Sequence, residues 1–303
     1  MGLPADVFSP LKQNLKTDVI NRPSTTLGQD AWRRFKMNPL AMIGLVILAL
    51  FILVALFGPF FSKYNYYTND LMSTRLQPSW VHPFGTDELG RDILTRVMYG
   101  TRISLLIGFG SVLINLTIGI FYGGISGYLG GRVDNFMQRV IDVIYSVPDL
   151  LYVILLMVTL GSGLHNIFIV MGLVNWVPMA RTIRGQILAL REQEFVLAAR
   201  ALGADTKRLL MKHLLPNSIG QIIVVAALQI PAAIFLEAFL SFIGLGVQPP
   251  DVSLGFMAAE GRMNIPSFPF ALIFPALSIA ILMLAFNFVG DGLRDAFDPK
   301  MRK

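Results

Sequence analysis

Cysteine is absent from the 303 residues, which excludes disulfides, thiolate metal centres and a cysteine nucleophile. Histidine occurs three times, and His82, His165 and His213 fall in three separate segments, so no histidine metal site is expected. Charge is scarce as well: Asp, Glu, Lys and Arg make up 15% of the chain, against about 25% in ordinary soluble domains. There is no G-x-x-x-x-G-K-[ST] loop to cradle nucleotide phosphates, no H-E-x-x-H, and no nucleophile paired with a base at motif level. The chain is therefore expected not to be an enzyme, with no catalytic residues and no cofactor or metal of its own. Its first thirty residues are polar, carry Pro4, Pro10 and Pro23, and lack an apolar run, so a cleaved secretory signal is not expected.

What the chain has in excess is apolar surface, with 54% hydrophobic residues and a mean hydropathy of +0.62. Residues 41–61 form 21 positions without one ionisable side chain, enough to cross a hydrocarbon core of about 30 Å. Hydropathy predicts an all-α polytopic membrane protein with six transmembrane helices, over 41–61, 103–124, 147–164, 167–180, 217–246 and 270–289. Six spans place both termini on one side. That side receives Lys12, Lys16, Arg22, Arg33, Arg34 and Lys36, two basic residues after the second span, seven after the fourth and four in the tail. The other side receives six, so the termini are expected in the cytoplasm, and the net charge of +6 reflects membrane orientation rather than nucleic-acid binding. The expected division is a cytoplasmic segment 1–40, a first span 41–61, an extracytoplasmic loop 62–102, a permease core 103–290 and a cytoplasmic tail 291–303.

Within the second span and just beyond it, Gly119, Gly123, Gly127 and Gly131 recur every fourth residue, the spacing that lets helices approach closely in lipid. In the outer loop, Asp87, Glu88, Arg91 and Asp92 lie close together, a cluster that invites a cation site, but Thr86 or Asp87 suits the N-cap of an interfacial helix with an apolar face at Ile93, Leu94 and Val97, and that reading is favoured. Tyr64, Tyr66, Tyr67 and Trp80 suit the membrane boundary. Glu237 lies within a span, where an ionisable residue is a functional candidate. It either lines a translocation path or is a carboxyl satisfied by Gln229, backbone or the interface. Asn175, Trp176 and Asn287 are further path candidates, or else polar groups that hold helices together.

The most informative segment is 181–216, with seven basic and three acidic residues in 36 positions. Phe195, Ala198, Ala199 and Leu202 fall on one helical face; Gly203 fits a helix stop; Asp205 fits the cap of a second short helix, expected to end at Pro216. Two readings fit a helix, a glycine turn and a helix: a basic hairpin lying on anionic headgroups, or a rigid docking element for a cytoplasmic protein.

The string EFVLAARALGADTKRLLMKHLLPN resembles the EAA loop of membrane permeases of binding-protein-dependent ABC importers, E-A-A, three residues, G, nine residues, I-x-L-P. Leu197, Ala198 and Ala199 stand at E-A-A, Gly203 at G, and His213, Leu214, Leu215 and Pro216 at I-x-L-P; Leu197 and His213 depart from the pattern, and Glu194 lies three residues before it. WRRFKMNPLAMIGLVIL, HPFGTDELGRDILTRVMYGTRISL, GGRVDNFMQRVIDVIYSVP, EAFLSFIGLGVQPP and VGDGLRDAFDPKMRK are similar to the oligopeptide, dipeptide and nickel branch, in particular its second permease subunit.

The resemblance implies a second similar permease, two ABC ATPases that bind ATP and Mg, and an extracytoplasmic peptide-binding protein, with no nucleic acid among the partners. It implies that Glu194, Ala198, Ala199, Gly203, Ala204, Asp205, Thr206, Lys207, Arg208, Leu215 and Pro216 form the ATPase-coupling site. A second reading, an ion-coupled secondary transporter working without ATPases, fits the interruptions at Asn175, Pro178 and Pro231. The spans show no inverted repeat, however, and that reading leaves the large cytoplasmic hairpin without a task.

Overall fold

The computed structural model describes residues 26–298. Lys12, Lys16, Arg22, Lys300, Arg302 and Lys303, which weigh in the topology argument, lie outside the described residues. Helix α1 (Leu27–Met37) opens on a capping box, in which the Thr26 side chain accepts from Gln29 N and the Gln29 side chain accepts from Thr26 N. Helix α2 (Pro39–Phe61) follows at once: Asn38 Oδ1 accepts from Ala41 N, and Pro39 occupies the first turn, where its missing N–H costs nothing.

Nine further α-helices complete the bundle as far as the last span: α3 (Ile93–Leu129), α4 (Gly131–Tyr145), α5 (Asp149–Leu160), α6 (Leu164–Val174), α7 (Val177–Arg191), α8 (Glu194–Ala201), α9 (Thr206–Arg208), α10 (Leu215–Phe242) and α11 (Leu254–Arg262). The last span is α12 (Phe270–Phe297), and the described residues contain no β-strand. The chain is an all-α polytopic membrane protein. Helix α2, helix α3, α6 with α7, α9 with α10, and α12 are long and apolar enough to cross a bilayer; α4 and α5, bent by 74°, make a sixth if the pair is one span.

Several elements depart from the hydropathy reading. The second span begins at Ile93, not at 103, because the expected interfacial helix is its first turns: the N-cap is Asp92, whose carboxylate accepts from Thr95 N at 2.8 Å, and not Thr86 or Asp87. Helix α5 has 12 residues and is too short to cross alone. The short fourth span is instead the 28-residue run Leu164–Arg191. Pro216 does not end the second helix of the hairpin. It stands in the first turn of α10, which continues from α9 through a π-helical segment, Leu209–Leu214.

Helix α3 is central and packs mainly along α7. A β-carbon at Gly119 would lie 2.6 Å from Met179 Cγ, and one at Gly127 would lie 2.8 Å from the Arg184 carbonyl oxygen, so these glycines bring the two helices into backbone contact. Gly131 leaves this stripe: it opens α4 after Gly130, which ends α3 at φ +62°. The α3–α7 seam is closed at its end by Asp134, whose carboxylate accepts from Arg184 Nε and Nη2, both at 2.6 Å.

Candidate functional site

The hairpin between α7 and α10 is held from beneath. Val196 of α8 is buried with Ile183 and Ile187 of α7, and with Leu209 and Leu214 of the π-helical segment, which fixes the short helix to the bundle. At its end Gly203 N donates to Arg200 O at 3.0 Å and Ala204 N to Ala199 O at 3.0 Å, a helix stop that requires the left-handed backbone found at Gly203, φ +85°. Asp205 then caps α9, its carboxylate accepting from Arg208 N at 3.0 Å. Glycine stop and aspartate start thus make a tight, hydrogen-bonded corner.

Around that corner the surface is uncovered. Leu202 is 89% exposed, Phe195, Leu197 and Met211 are also exposed, and Glu194, Ala198, Asp205, Thr206, Lys207, Arg208 and Pro216 share the outer surface. Ala199, Ala204 and Leu215 are half-buried at its base. The apolar face expected at Phe195, Ala198, Ala199 and Leu202 therefore points largely outward, while Val196 makes the inward contact. A large leucine presented at a rigid corner, ringed by both signs of charge, is a surface that a protein groove can enclose.

The four path candidates have separate surroundings. Glu237 is fully buried: its Oε1 accepts from Ser241 Oγ at 2.7 Å and Ser253 Oγ at 2.6 Å, and its Oε2 from Ser104 Oγ at 3.5 Å. Ser253 Oγ accepts from Phe256 N and Ser104 Oγ accepts from Leu254 N, so both hydroxyl protons are free to turn toward the carboxylate. Gln229 pairs instead with Asn115. Trp176 is buried, donating from Nε1 to Leu173 O at 3.1 Å and lying 4.6 Å from the Tyr122 ring centre. Asn175 is half-buried at the end of α6, and Asn287 is exposed on α12.

Sequence reasoning missed a buried ion cluster on the side of the 62–92 loop. Arg91 Nε donates to Asp87 Oδ2 at 2.7 Å, and Arg96 Nη1 donates to the same oxygen. Both guanidinium groups reach Glu260 of α11, Arg96 Nη2 at 2.8 Å and Arg91 Nη2 at 3.3 Å. His82 Nδ1 lies 2.9 Å from Asp92 Oδ1, and its ring packs on Tyr64 at 4.6 Å. The i,i+4 spacing of Asp87 and Arg91 is a signal in the sequence; Glu260, 169 positions from Arg91, gives none.

This arrangement of spans around a long central helix, with an exposed hairpin feeding directly into a span, defines an ABC importer permease fold. The same fold is seen in an inward-facing methionine ABC transporter, MetNI, one chain of which superposes with a TM-score of 0.51 at 18% identity, over 67% of this chain and 96% of that chain. The chain belongs to the family of binding-protein-dependent transport system inner membrane components, whose model matches residues 115–303, and residues 26–78 match the N-terminal TM domain of oligopeptide transport permease C. It is 50% identical over 303 residues to the oligopeptide transport system permease protein OppC of Bacillus subtilis (strain 168), covering 100% of this chain and 99% of the relative. It is likewise 50% identical over 293 residues to the dipeptide transport system permease protein DppC of the same organism, covering 96% and 92%. The branch is the one that the hairpin and its flanking strings resemble.

Proposed function

We propose that the chain is the permease subunit of an ATP-driven importer of oligopeptides or dipeptides in a bacterial cytoplasmic membrane. It works with a second homologous permease, two ABC ATPases and an extracytoplasmic peptide-binding protein. In this reading it catalyses no reaction, binds no metal or cofactor, and leaves ATP and Mg to the ATPases. Residues 1–40 and 291–303 are cytoplasmic, 62–102 extracytoplasmic, and 103–290 the permease core. Full-length similarity at 50% identity to peptide permeases supports the substrate class.

The observation that carries the coupling role is the corner at 202–208, a fixed backbone bearing an exposed Leu202 and continuous with α10. Seated in a cleft of one ATPase, it would carry ATPase closure into the bundle and shift the permease pair between inward and outward access. Gly203→Asp tests it. A β-carbon there meets nothing within 4 Å of its own chain, but at φ +85° any L side chain strains the turn. Gly203→Asn, a near-isostere that carries the same strain without the charge, is therefore the control: it should insert and keep most uptake, leaving the loss in Gly203→Asp to the carboxylate on the docked surface. The expected result for Gly203→Asp is normal membrane insertion with peptide uptake reduced at least about a hundredfold; normal uptake by that inserted variant rejects the coupling role.

Glu237 is read here as a fastener and not as a path residue, since its carboxylate is enclosed by Ser104, Ser241 and Ser253. Asn287, exposed on α12, keeps the path or partner-contact reading, as does Asn175.

A further inference from the structure

The loop after α2 and the α10–α11 connection border an open cleft of about 480 Å³. Its wall has two kinds of surface. Arg91 and Arg96 line one side, but each is already committed to Asp87 and Glu260, so this four-residue cluster carries no net charge. The other side is aromatic: the Tyr66 and Tyr67 rings meet edge to face, 5.1 Å between centres at 84°, and Phe256 extends the wall. Asp251 completes it. Half-buried, this carboxylate has no hydrogen-bond or ion-pair partner among the described residues. Burial, and secondarily the charge of Asp251, holds the Tyr66 phenol above its ordinary value.

Tyr66 is packed on Tyr99, 4.1 Å between ring centres, and meets Tyr67 edge to face. The exposed Tyr67 ring, backed by Tyr66 and standing beside the uncommitted carboxylate, is therefore the surface that matches an alkylammonium, which is drawn to aromatic rings and closes a charge-assisted hydrogen bond. An anionic ligand finds no uncompensated cation, because the charges of both arginines are balanced by Asp87 and Glu260, although Arg96 Nε keeps no partner of its own. The volume suits a small ligand. We propose that Tyr66, Tyr67 and Asp251 form a cage that receives the terminal ammonium of a short peptide on the outer side of the permease. The peptide rests on the function proposed above; the cage itself demands only a primary ammonium.

The test uses the assembled importer in nanodiscs without its binding protein, titrated with trialanine and with N-acetyl-trialanine. Wild type is expected to bind trialanine, and the acetylated probe about tenfold more weakly. Asp251→Asn and Tyr67→Leu should each weaken trialanine by about tenfold. Tyr67 is 56% exposed, so its variant should melt like wild type. Equal affinity for the two probes, or unchanged affinity in both variants, overturns the cage. So does impaired docking of the binding protein with trialanine affinity intact, which would assign Asp251 to a protein lysine. ATP-driven trialanine uptake by the wild-type importer is measured in parallel: uptake without the expected binding differences rejects the cage alone, whereas no uptake of any peptide rejects the importer reading itself.

Discussion

Asp87 accepts from two guanidinium groups that have little water to fall back on, since Arg91 is 8% and Arg96 3% exposed. Removing the shared carboxylate leaves two buried cations against Glu260 alone, and breaking a buried pair from one side costs roughly 3 to 5 kcal/mol. Asp87→Ala should therefore lower the detergent melting temperature sharply and reduce accumulation in the membrane. Asp142→Ala is the control. Its ion pair with Arg181 lies at 3.1 Å with side chains 67% and 43% exposed, and such a pair should change stability by no more than about 0.5 kcal/mol. Equal melting of the two variants would show that the Asp87 cluster is not a structural fastening.

Between elements, a close backbone approach is that of Gly123 of α3 against α7, where an added β-carbon would collide with the Ala180 carbonyl oxygen and lie 3.0 Å from Arg184 N. Backbone atoms cannot rotate away, so Gly123→Val should destabilise by about 1 to 3 kcal/mol or prevent assembly. Gly124→Ala meets nothing within 4 Å and should be neutral, or stabilise by up to about 1 kcal/mol. Melting curves of the two variants decide the point. The glycine spacing that marks this seam is plain in the sequence, as are α2 and α12, because each is a pattern of neighbours along the chain. The lengths of α3 and α7 were not legible, for the opposite reason. Arg96 and Arg184 interrupt the hydropathy of their helices, and they are neutralised by Asp87 with Glu260 and by Asp134, residues brought near only by folding. At the hairpin, Gly203 and Asp205 could be read as stop and start. The continuity through Pro216 could not, since a proline after a short helix is also a common ending.

For the whole molecule, the proposed assembly would cover the exposed corner at Leu202. Gentle purification from its native membrane should recover, by mass spectrometry, one similar permease and two phosphate-loop ATPases; recovery of the chain alone would reject the assembly. Within such an assembly, the run Thr206–Phe242 is 37 residues long, a rod of about 55 Å at 1.5 Å per residue and so longer than the hydrocarbon core it crosses. A rod of that length is a lever: a tilt of about 5° pivoting near the hairpin sweeps the far end through about 5 Å. That far end carries Glu237, whose carboxylate holds Ser253, the cap of α11. If the hairpin docks on an ATPase as proposed, a small displacement there would be geared up along this rod and handed through Ser253 to α11 and Glu260, so the ion cluster and the cleft beside it would move with a stroke begun at the far end of the helix.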